Sequence, residues 1–63
     1  MTRKDYVMIA ETIKGAINYE QDFNNNQEKA DGFKSLALAL ASTLESDNPR
    51  FDRSRFLSAC GVI

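Results

Sequence analysis

The residues with chemical potential are few. They are the thiol of Cys60, the acid–amide string Asp22-x-Asn24-x-Asn26, the carboxylate pairs Asp5/Glu11 and Glu28/Asp31, and the arginines Arg50, Arg53 and Arg55. Nucleophilic catalysis needs an activated nucleophile beside a base. The 63-residue chain has no histidine and one cysteine, and Cys60 falls near the C-terminal end of a predicted helix, where a thiolate gains nothing from the helix dipole. Cys60 therefore reads as a small core residue. The string beginning at Asp22 has the opening spacing of a calcium-binding loop, but Gln27 stands where that loop turns on glycine and Phe33 where it needs a bidentate glutamate. It reads as a polar connection. A lone thiol without histidine also leaves no Cys/His zinc set. The carboxylate pairs lie on outward helix surfaces with Lys29 and Lys34 as neighbours, the arrangement of solvated faces. No glycine-rich phosphate loop is present, and a chain this short rarely encloses a water-free pocket. The expectation is a protein that is not an enzyme, with no cofactor and no metal.

Composition narrows the class further. Hydrophobic residues at 43% and charged residues at 27% suit a folded domain rather than a disordered chain. A domain of this size buries only about 60% of the surface its unfolded chain exposes, and one cysteine cannot form an internal disulfide. Self-association or regular helix packing must supply the remaining stability. The formal net charge of −1 draws neither nucleic acid nor anionic lipid as a whole, so any such binding must be local. There is no apolar run of about 18 residues, and Met1-Thr2-Arg3-Lys4-Asp5 does not lead into an uninterrupted signal core. No membrane partner and a cytoplasmic location are expected.

The elements that must position these residues follow from periodicity. Thr2 suits an N-cap with Asp5 in the first turn, and Met1 and Tyr6 have the spacing of a hydrophobic staple. Tyr6, Ile9, Ala10, Ile13, Ala16 and Ile17 recur at steps of three and four and predict a helix over about 3–19. The period stops between Glu20 and Asn26, where three successive asparagines favour a turn. A second helix over about 27–45 carries Ala30, Phe33, Ala37, Leu40 and Leu44 on one face, with Leu36 and Ala41 widening it. Ser46-Asp47-Asn48-Pro49 ends that helix. Asp52 then caps a third helix over about 53–60, with Phe51 and Phe56 at staple spacing, Gly61 as its stop, and Phe56, Leu57, Cys60 and Ile63 facing the second helix. The fold class is all-α: a single small three-helix domain over 1–63, expected to self-associate.

Both ends of the chain carry a resemblance. The opening Met1-Thr2-Arg3-Lys4-Asp5-Tyr6 with Ile9-Ala10-Glu11, and the closing Asp47-Asn48-Pro49-Arg50-Phe51-Asp52-Arg53 with Arg55-Phe56-Leu57 and Ala59-Cys60-Gly61, resemble a family of small tailed-bacteriophage proteins. The stretch from about Gly15 to Lys34 carries none of it. The resemblance implies a phage gene expressed in a bacterial host. It implies no activity, cofactor or catalytic residue.

Two binding surfaces remain. At about 100° per residue, Met8 points away from the Tyr6/Ile9/Ile13 face, Val7 sits at its flank, and Leu38 points away from the Phe33/Leu40/Leu44 face. Val7, Met8 and Leu38 thus form a candidate protein interface, for a homodimer or for a host bacterial protein. The alternative is nucleic acid on Arg50, Arg53 and Arg55. Asp47 and Asp52 interleave with those arginines, Glu45 stands just upstream and all three weaken that patch, and pairing of Arg53 or Arg55 with Asp52, Asp47 or a neighbouring helix accounts for them structurally. The function expected is protein binding, with nucleic-acid binding second.

Overall fold

A computed structural model describes residues 1–63 as three helices and no strand: α1 (Arg3–Asp22), α2 (Gln27–Asp47) and α3 (Arg53–Ala59). Each start is fixed by a side chain that satisfies an orphan backbone donor. At α1, Thr2 Oγ1 accepts from the Asp5 N–H at 3.4 Å while the Asp5 carboxylate accepts from the Thr2 N–H at 2.9 Å. That is a reciprocal capping box. Asn26 accepts from the Lys29 N–H at α2, and Asp52 from the Arg55 N–H at α3. Met1 stays largely exposed; Tyr6 instead meets Phe51 edge-on, with ring centroids 4.8 Å apart.

Both long helices outrun their expected ends. α1 continues through Glu20, Gln21 and Asp22, so the first connection shortens to Phe23–Asn26. The cause is Glu20, which lies three residues beyond Ile17 on the same face and is buried. Asn24 Nδ2 donates to its carboxylate at 2.9 Å, and the Asn26 N–H donates to its backbone carbonyl at 2.7 Å. Asn25 takes the left-handed backbone, φ 50°, which asparagine tolerates. At the other end α2 carries on through Ser46 and Asp47. It stops at Asn48, whose backbone is extended, as the residue before a proline prefers.

The short connection lays α1 antiparallel to α2. At about 1.5 Å per residue both are near 30 Å long, which sets the longest dimension of the 36 × 19 × 15 Å molecule. Their contact is a seam rich in alanine: Ala10, Ala30, Ala37 and Ala41 are each 1% exposed or less, with Ile17 of α1 buried beside them. α3, with seven residues, covers only one end of the pair. There Phe51, Phe56, Leu57 and Cys60 close the core over Ala10, Ala37 and Ala41. α3 ends as expected at Gly61, φ 79°, with Val62 N–H bonded to Leu57 O and Gly61 N–H to Ser58 O, a Schellman closure. Cys60 is the C-cap rather than a helical residue.

Two apolar expectations fail. Leu36, expected to widen the core face, is 62% exposed, and Ile63 is 71% exposed. Leu36 and Leu38 flank the fully buried Ala37, so a close alanine contact leaves both to either side of the seam. Ile63 lies beyond the Gly61 turn, and Val62 packs on the core instead.

Thermal or urea denaturation should separate these features. A Cβ added at Gly15 or at Gly32 meets no atom within 4 Å, so Gly15→Ala and Gly32→Ala should each stabilise by about 0.5–1 kcal/mol. Ala41→Leu should destabilise by about 1–3 kcal/mol through overpacking; an unchanged midpoint would show that the seam is loose. The Thr2 hydrogen bonds hold the Asp5 carboxyl below its ordinary value, so its contribution is complete above the ordinary aspartate range and fades as pH falls through the lowered one. Amide exchange in the first turn of α1 should therefore rise in acid, and Asp5→Asn should abolish that pH dependence.

Candidate functional site

The candidate residues separate when placed on the fold. Val7, Met8 and Leu38 are 43%, 53% and 40% exposed, so all three stand outside the core. Val7, however, shares a groove with Arg50 and Arg55, whereas Met8 and Leu38 do not line it. The groove, about 480 Å³, runs between the first turns of α1 and the Asn48–Asp52 corner leading into α3. Its apolar lining includes Val7, Ala10 and Ala59, over a floor formed by Tyr6, Phe51 and Phe56. Arg3, which was not expected to take part, joins Arg50 and Arg55 along it.

Arg53 belongs elsewhere. Its guanidinium donates to Ser42 Oγ at 2.6 Å, tying the first turn of α3 to α2. The arginines do not pair with Asp47 or Asp52; the one ion pair of the chain is Lys29–Glu20 at 3.9 Å. Asp52, the acid on the groove, directs its carboxylate to the Arg55 backbone N–H at 3.0 Å. The guanidiniums of Arg3, Arg50 and Arg55 thus have no intrachain hydrogen bond or ion pair, and all three residues are exposed.

The floor is formed by packed rings. Phe51 lies between Tyr6, at 4.8 Å, and Phe56, at 5.3 Å, and both phenylalanines are less than a tenth exposed. They support the groove without presenting open faces. At the far end of α1, Tyr19 and Phe23 stack at 5.8 Å and stand 53% and 82% exposed. The one-turn spacing of Tyr19 and Phe23 could have suggested that pair in the sequence. Nothing in the sequence announced Arg3 as a groove residue, because its neighbours there arrive from the opposite end of the chain.

Several of the remaining polar groups have structural partners. Asn24 and Asn26, from the calcium-like string, spend their side chains on Glu20 and on the α2 cap. Lys29 reaches Glu20 rather than Glu28 or Asp31, and Asp31 accepts from Gln27. No helix is long and apolar enough to cross a membrane. The chain matches no family model, no curated protein and no solved structure.

Cys60 is fully buried, and burial pushes its thiol up from the ordinary value. Because the fold favours the protonated thiol, its contribution to stability is complete below the ordinary cysteine value and is lost as pH rises toward the folded one. Alkylation of native protein should run at least about 100-fold slower than in urea, since the thiol reacts only when the core opens. Labelling at comparable rates in both conditions would remove Cys60 from the core.

Proposed function

We propose that the chain is a phage-encoded, non-enzymatic protein-interaction module that acts in the cytoplasm of a bacterial host. The observation that carries this reading is the distribution of apolar side chains. The seam between the long helices is rich in alanine, while Val7, Met8, Tyr19, Phe23, Leu36 and Leu38 are all at least 40% exposed on a chain with 4422 Å² of surface. Scattered apolar residues are common on monomers. Here, however, four of the nine buried apolar residues are alanines, and only Ile17, Phe51, Phe56 and Leu57 bring large side chains inside, so a partner surface offers the domain burial beyond what its own small core supplies. That partner is a second copy, favouring a dimer, or a host protein. The phage origin rests on the resemblance at the two ends of the sequence.

Nucleic-acid binding is the second reading, favoured by the unpaired guanidiniums of Arg3, Arg50 and Arg55. It has two weaknesses. Arg53 is committed to Ser42, and the nearby rings are packed against one another rather than open for bases to stack on.

Sedimentation velocity across a concentration series, together with affinity capture from bacterial lysate with and without nuclease, tests the choice. Protein binding predicts either a concentration-dependent mass or a nuclease-resistant partner, diminished by Met8→Asp or Leu38→Asp. A monomer at every concentration whose captured material disappears with nuclease would favour the arginine reading instead.

A further inference from the structure

We infer that the groove between the first turns of α1 and the Asn48–Asp52 corner docks an acidic amphipathic segment of a partner protein. A large apolar side chain of that segment enters over Val7 and Ala59, and its flanking carboxylates meet Arg3, Arg50 and Arg55. The inference rests on the interaction-module reading and adds where the partner sits and what chemistry it carries.

Size and lining come first. A volume of about 480 Å³ suits one or two large side chains rather than a folded surface, and the lining is mostly apolar with polar groups along it, as in sites that hold an anchor residue. Charge is the second observation. The chain carries a net charge of −1, yet this groove collects three guanidiniums without intrachain partners. Its one carboxylate is already bonded at the α3 cap. Arginine forks match carboxylates bidentately, so the local field selects a negatively charged visitor even though the whole protein does not.

Three alternative occupants fit less well. Single-stranded nucleic acid binds through stacked bases as well as phosphates, and Phe51 and Phe56 are 8% and 4% exposed. A second copy related by a twofold axis through the groove would set Arg50 and Arg55 against their own counterparts, a like-charge contact. A copy inserting Phe23 would come from the far end of α1, and repetition of that contact builds open chains rather than a closed dimer.

The test pans a displayed library of random peptides on the full chain, then titrates the enriched peptide, labelled, against wild type and Arg50→Glu/Arg55→Glu. Circular dichroism should show both proteins equally helical, because neither guanidinium has a partner within the fold. Enriched sequences should share a large apolar residue flanked by Asp or Glu. Affinity should fall at least tenfold in the double variant, and a peptide with its acids changed to lysine should regain binding to that variant. A basic or uncharged consensus, or affinity indifferent to the arginines, overturns the groove assignment. If the peptide footprint then falls on Met8 and Leu38, the interaction-module reading survives without it. Failure to enrich any peptide also overturns the assignment, and tight binding of a 12-nucleotide single strand in that case overturns both. Self-association of the wild type that disappears in the double variant would hand the groove to a second copy.

Discussion

The Phe51 ring is the contact on which the rest of the structure depends. A seven-residue helix has no independent stability in water, because nucleation costs more than so few hydrogen bonds return. α3 exists because Phe51, immediately before its cap, is held between Tyr6 of α1 and Phe56 of α3. That wedge places Leu57 and Cys60 over Ala10, Ala37 and Ala41. It also brings Arg50 and Arg55 to the same groove as Arg3 and Val7. The charged groove is thus a by-product of how the smallest helix is anchored.

The alanine seam has the opposite kind of consequence. Methyl groups at Ala10, Ala30, Ala37 and Ala41 let two long helices meet along their length, which suits a short chain that lacks volume to fill a wide interior. The same economy leaves Leu36 and Leu38 on the flanks and Met8 on the outer side. Burial that a larger domain completes internally is here left incomplete, which is the basis of the proposed interaction role. Fold and proposed function therefore share one cause: the α1–α2 contact runs through alanines, and the large buried rings gather at the α3 end.

Local rules were legible in the sequence wherever one element decided the outcome. The Thr2 and Asp52 caps, the Phe51/Phe56 staple and the Gly61 stop each depend on residues within a few positions of one another, whereas the three asparagines were read only as a turn and Asn26 proves to be the α2 cap. Three- and four-residue spacing likewise identified Ala30, Ala37 and Ala41. Features set by the distance between helices were not legible. Glu20 occupies a stripe position, but its burial depends on Asn24 and Lys29 folding back over it. Arg53 meets Ser42 only once α3 has been placed. Leu36 lies outside because α1 approaches α2 through alanines, and periodicity within α2 alone does not report that approach. The candidate site was visible only as fragments. Val7 and the arginines were assigned to rival surfaces, and the fold puts Val7, Arg50 and Arg55 in one place.

The position of Phe51 also bears on the order of assembly. The α1–α2 pair is joined by a short turn, Phe23–Asn26, so its contacts begin close in sequence and reach further apart toward Ala10, Ala37 and Ala41. The Tyr6–Phe51 contact joins opposite ends of the chain and must close a long loop, with a correspondingly larger entropic cost. The groove exists only where α1 and the α3 corner meet, so the docking proposed for this surface would also report that the two ends of the chain have come together.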